Sequence, residues 1–134
     1  MTARHAVIAL IATAALLAGA TSPLAAAKTL AVRIVAIGTP NQEQTVGTGT
    51  FTSTIGGVSD KGKWVTHKNP TTFVDNTRFI GRRGTFKAQE FSDSHWTITG
   101  GTKAYAGLTG KGTETETLLG NTLFRNVWRG TATR

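Results

Sequence analysis

The chain has 134 residues, a formal net charge of +8 from 15 Lys and Arg against seven Asp and Glu, and no cysteine. That length bounds it to one small domain around a single core. The missing cysteine excludes disulfides, thiol nucleophiles, thiolate metal sites and an acylated lipoprotein anchor, while the basic balance attracts anionic polymers and equally serves solubility.

The first predicted element is a targeting segment. Arg4 precedes an almost uninterrupted apolar run from Ala6 to Ala20, which Thr21, Ser22 and Pro23 break. Ala25-Ala26-Ala27 then offers the small residues that a signal peptidase accepts. The run is shorter than the roughly 20 residues of a membrane-spanning helix. The sequence therefore predicts a signal-peptide helix within 1–27, cleaved near Ala27, and a secreted domain over 28–134 (extracellular or periplasmic) with no membrane span after processing.

From Lys28 onward no segment carries the i, i+3, i+4 apolar spacing of an amphipathic helix. Thr, Val, Ile and aromatic residues recur in short runs punctuated by glycine, the composition of strands and turns. Leu30 to Ile37 is predicted as a strand with Arg33 as its one charge, followed by a polar loop over Asn41 to Gln44. Thr45 to Ile55 alternates Thr48, Thr50, Thr52 and Thr54 against Gly47, Gly49, Phe51, Ser53 and Ile55. Gly56-Gly57 and Asp60-Lys61-Gly62 read as turns, and Lys63 to His67 as a short strand broken by Asn69-Pro70. Phe73-Val74 reads as another short strand, ended at Asp75-Asn76, and Thr77 to Phe91 as a long one containing Gly81 and Gly84. Ser92-Asp93 turns the chain into His95 to Thr99, where Trp96 and Ile98 point inward. A glycine-rich corner leads to a strand over Thr113 to Leu118, a hairpin turn at Gly120-Asn121, and a final strand over Leu123 to Ala132. In that last strand Phe124, Asn126, Trp128, Gly130 and Ala132 share the inner face by period two.

Seven or eight short strands with regular turn signals predict an all-β antiparallel barrel or sandwich. Gly84-Thr85-Phe86, Trp96-Thr97-Ile98-Thr99-Gly100-Gly101-Thr102, Tyr105, Gly107, Gly110 and the close Leu123-Phe124 to Trp128-Arg129-Gly130 narrow that choice. Over roughly the C-terminal half, these residues resemble the allene oxide cyclase and dirigent-like β-barrel superfamily. The resemblance implies an eight-stranded barrel with a central apolar cavity and an oligomer, trimeric as in plant members. Lys103 stands where that family usually carries another glycine, so the corner either tolerates a side chain there or turns differently. The early strand, Thr29 to Ile37, holds no acid or amide, so no catalytic residue of the family maps onto this chain.

Several residue sets carry potential chemistry. Phe51, Trp64, Phe86, Trp96, Tyr105, Phe124 and Trp128 either fill the barrel or line a cavity for a small apolar or aromatic ligand, with Asn126 as a polar anchor. Arg78, Arg82, Arg83 and Lys87 form the densest basic cluster, interleaved with Phe79 and Phe86, as an anionic polymer would require. Asp93 and His95 have the spacing of an acid–base pair, and His67 is the other histidine of the mature chain; two ligands do not make a metal site. Glu114 and Glu116 share a strand face, which is the pattern of a solvated face more often than of a carboxylate pair. Gly107 to Gly112 lacks the spacing and following helix of a phosphate loop, and no motif calls for a cofactor or metal. The sequence thus points first to a non-enzymatic binding barrel, second to a cationic polymer-binding protein, and third to an isomerase-like enzyme.

Overall fold

The computed structural model describes residues 25–134. The predicted targeting helix lies outside the described residues. Eight strands follow one another: β1 (Leu30–Pro40), β2 (Val46–Ile55), β3 (Val58–His67), β4 (Val74–Gly81), β5 (Thr85–Phe91), β6 (His95–Gly101), β7 (Thr109–Leu118) and β8 (Phe124–Thr133). Each pairs antiparallel with the next, and β8 returns to β1, so the sheet closes into a barrel without a free edge. Among the described residues no helix is long and apolar enough to cross a membrane.

Two local expectations give way to the strand ladder. Asp60-Lys61-Gly62 has turn composition yet lies within β3, paired to Ser53, Thr52 and Phe51. Asp60 points inward there, and its carboxylate accepts the backbone N–H groups of Arg82 and Arg83 at 3.0 and 3.1 Å. Gly62 is required by close approach, because a Cβ would meet the Ile80 carbonyl oxygen at 1.9 Å. Asp75 and Asn76 likewise do not end a strand; they open β4 and pair with Glu90 and Gln89. The long region predicted over Thr77 to Phe91 is instead two strands, split at Arg82 to Gly84.

Period-two alternation sends Val32, Ile34, Phe51, Phe79, Phe86, Trp96, Ile98 and Trp128 into the interior. Their rings form a continuous stack: Phe79 lies on Phe86 at 4.7 Å, Phe79 meets Trp128 edge-on at 5.1 Å, and Trp128 lies on Trp96 at 5.4 Å. Inward glycines make room for the indoles. A Cβ on Gly112 or Gly130 would come within 2.5 or 2.8 Å of the Trp96 ring, and one on Gly38 within 2.5 Å of Trp64.

The two ends of the barrel differ. At one, the β6–β7 connection folds back as a 3-10 turn, Lys103–Tyr105, and drives Tyr105 and Leu108 into the opening. The Tyr105 hydroxyl donates to Asp60 at 2.7 Å, locking this plug to β3. Gly100 takes φ +148 at the corner, whereas Gly101 is needed for space, since its Cβ would meet the Tyr105 Cβ at 2.6 Å. Lys103 sits at φ 52, so the corner does tolerate a side chain in left-handed backbone. The other end, ringed by the β1–β2, β3–β4, β5–β6 and β7–β8 connections, has no such plug.

Candidate functional site

At the unplugged end the inward-facing residues change from aromatic to polar. Thr66 on β3, Asp75 and Thr77 on β4, Glu90 on β5, Glu114 and Glu116 on β7 and Asn126 on β8 line a cavity of about 80 Å³. Trp64, Phe124 and Trp128 form its aromatic wall, with Trp64 and Phe124 at 5.8 Å between ring centres. Above it, an outer basin of about 400 Å³ shares Lys68, Asp75, Glu90 and Glu114 with the inner cavity. Together they make a funnel whose throat is acidic.

The backbone explains how two glutamates come together in it. β6 begins only at His95, so beyond that point β5 and β7 are separated by the Ser92 to Ser94 turn alone. Ser94 still accepts the Glu114 backbone N–H at 2.8 Å, which draws β7 toward β5. Glu90 continues the inward parity of Phe86 and Ala88, and Glu114 that of Gly110 and Gly112. A hydroxyl chain supports the pair from below: Thr66 and Thr77 share a hydrogen bond of 2.5 Å, and Thr77 donates to Glu90.

Burial and the neighbouring Glu114 charge push the Glu90 carboxyl up to about 8, with Asp75 adding to the rise against the opposing Thr77 hydrogen bond. Burial also raises Glu114, with Glu116 and Asp75 adding to the rise and the contacts with Glu90 and the Trp128 indole opposing it. At neutral pH the pair therefore retains a proton between two carboxyls. Three buried polar atoms around them have no hydrogen-bond partner: Glu114 Oε2, Asn126 Oδ1 and Trp128 Nε1. Trp128 itself is 1 % exposed, so its indole N–H is withdrawn from bulk solvent.

The structure distributes the sequence candidates over three environments. Phe51, Phe86, Trp96 and Tyr105 belong to the packed interior, whereas Trp64, Phe124, Asn126 and Trp128 line the cavity. Arg78 and Lys87 face each other across β4 and β5 on the outer wall. Arg82 and Arg83 occupy the turn at the plugged end, and the interleaved Phe79 and Phe86 are fully buried, leaving that cluster no aromatic platform. The Asp93–His95 pair, 3.1 Å apart, is an exposed turn contact, in which the His95 backbone N–H holds the Asp93 carboxyl low. His67 is exposed at the end of β3. Glu114 departs from the solvated-face expectation because its strand parity matches Trp128, its direct partner on β8. Glu116, opposite Asn126, also lines the cavity but is exposed.

Sequence reasoning passed over Glu90, Asp75, Thr66 and Thr77. The usable signal was parity, since Glu90 stands two residues beyond Ala88 and Asp75 two before Thr77. Among the described residues no three His, Asp or Glu side chains group as a metal site. No protein-family model matches the chain, and no curated protein matches it either.

Proposed function

We propose that this protein is an exported binding barrel that receives a small aromatic or apolar-bodied molecule at its unplugged mouth. One observation carries the reading. Buried polar atoms with no protein partner (Asn126 Oδ1, Glu114 Oε2 and Trp128 Nε1) surround a cavity that also offers an aromatic wall. Buried polar groups are almost always partnered, and a ligand that completes them gains both hydrogen bonds and apolar contact. The ligand seat is at the mouth, because Phe79, Phe86 and Trp96 fill the barrel below it and are 0 % exposed. Export rests on the leader pattern of Arg4, the Ala6 to Ala20 run and Ala25 to Ala27. A barrel of the allene oxide cyclase and dirigent-like kind accords with the closed eight-stranded sheet.

The test is titration of tryptophan fluorescence with three small aromatic probes of different charge: benzyl alcohol, benzoate and benzamidine. At least one is expected to give a saturable change that Phe124→Ala abolishes and Val58→Ala, at the plugged end, leaves intact. No saturable response to any of the three overturns the reading.

A second reading, a cationic wall that engages anionic polymers, is favoured by a separate observation. Among the described residues the one ion pair is Asp93–His95, so no Lys or Arg there is neutralised by a carboxylate. Moreover Arg33 faces Arg129 and Arg78 faces Lys87 directly across the sheet. Like charges so placed destabilise a sheet unless an anion lies between them.

A further inference from the structure

We propose that the mouth is selective for a small organic cation, an ammonium or amidinium group lodged between Glu90 and Glu114 with its carbon skeleton against Trp64 and Phe124. This rests on the binding reading above and adds the ligand's charge.

Charge segregation points the same way. The chain is basic overall, yet of its seven acidic residues all except Asp60 stand at the mouth: Glu43, Asp75, Glu90, Asp93, Glu114 and Glu116. A carboxylate-lined cleft with low-dielectric walls focuses a negative potential and concentrates cations. It equally repels carboxylates and phosphates, so the mouth is not a second anion site.

The polar inventory narrows the class further. Glu114 Oε2 and Asn126 Oδ1 are buried acceptors without donors, which a ligand bearing several N–H groups satisfies and an aprotic apolar ligand leaves bare. Trp128 Nε1, on a side chain 1 % exposed, is a donor at the same wall, near enough to Glu114 to favour its ionised form. Trp64 and Phe124 present rings on which a cation is further stabilised. Lys68 is the one Lys or Arg lining the two cavities, and it makes no ion pair with the carboxyl groups there.

Binding of a cation must displace the proton held by the carboxyl pair. The groups facing that pair are Asp75 and Thr77 from β4, Thr66 from β3, Glu116 from β7 and Asn126 and Trp128 from β8. Lys68 lines the inner cavity and the outer basin alike, and Glu43 lines the outer basin. Apart from Lys68 these charges are all acidic, so affinity rises with pH as the pair ionises and falls as it regains its proton.

The experiment uses benzamidine, a permanently charged amidinium, and benzamide, its neutral counterpart of nearly the same shape. In calorimetric titrations at about pH 8.5, benzamidine is expected to bind at least about tenfold more tightly than benzamide, and to weaken by about tenfold or more at about pH 6. Repeating the titration near neutral pH in two buffers of different ionisation heat should reveal proton release. Glu90→Gln should retain weaker benzamidine binding with a smaller pH dependence, because Glu114 alone then titrates at the seat. Equal affinity for benzamide and benzamidine overturns the charge selectivity while leaving the binding barrel standing, as does benzamidine affinity that ignores pH. Absence of binding by all four probes, benzamidine, benzamide, benzyl alcohol and benzoate, overturns both readings.

Discussion

Asp60 and Glu90 are inward-facing carboxylic acids on the same barrel, and their surroundings drive them in opposite directions. Burial raises Asp60, but hydrogen bonds from Tyr105 and from the Lys61, Arg83 and Arg82 backbone outweigh it and hold the carboxyl low. A depressed folded value contributes stability that is present above the unfolded value and is lost as pH falls through the folded one. Glu90 has the reverse sign. Its folded value of about 8, against 4.5 for a free side chain, means that the native state binds the extra proton between these limits. Stability therefore falls as pH rises from 4.5 to about 8. Urea unfolding across that interval should show the decline in the wild type and a shallower one in Glu90→Gln, where Glu114 alone remains raised. A wild-type profile that is flat or rising, unchanged in the variant, would contradict the burial of this proton. At the plugged end, Tyr105→Phe should cost about 1–3 kcal/mol by urea unfolding, because the buried Asp60 loses its one side-chain donor.

At the scale of elements, the strand order was legible because Thr, Val and aromatic residues alternate cleanly through β2, β6 and β8. The inner face of β8 follows directly from its period. What composition concealed were the polar residues that strands carry inward. Asp60-Lys61-Gly62 and Asp75-Asn76 have the chemistry of turns, and only the register shows Asp60 serving the Arg82–Gly84 turn and Asp75 facing Glu90. The acidic throat was hidden for the same reason. Thr113 to Thr117 reads as a polar surface ribbon until pairing with β8 sets Glu114 against Trp128. Five strands each contribute one or two of the polar residues of the site, so no local motif announces it. The inward glycines make a separate claim. Gly112→Ala would put a Cβ 2.1 Å from the Arg129 carbonyl oxygen and 2.5 Å from the Trp96 ring. Overpacking of this kind is expected to lower stability by about 1–3 kcal/mol, read as a shift of the urea midpoint. An unchanged midpoint would show that β7 and β8 can part to admit the methyl group.

Taken whole, the molecule is polarised: acids collect at the open end, where Lys68 is the one basic residue lining the cavities, while Arg33, Arg78, Lys87 and Arg129 stand on the outer wall and Arg82 and Arg83 at the plugged end. The wall and the mouth accordingly call for partners of opposite sign, and they separate in one salt series. Retention on heparin should fall steeply with ionic strength and should weaken when Arg78 and Lys87 are both replaced by Ser. The same double variant should leave benzamidine affinity unchanged. If retention does not respond to it, the Arg78–Lys87 face is not the polymer site. The mouth itself is reported by the three indoles, which stand at different depths. Trp128 Nε1 is unpartnered at the throat, Trp64 Nε1 donates to Ile37 at 3.3 Å, and Trp96 Nε1 donates to Thr113 at 2.9 Å within the packed interior. The most direct test is therefore the nitrogen–proton spectrum of the tryptophan side chains during a benzamidine titration at about pH 8.5. A ligand in the throat should move the Trp128 signal most, Trp64 next and Trp96 least. Signals that all stay in place, or a Trp96 shift as large as that of Trp128, would contradict a binding site at the mouth.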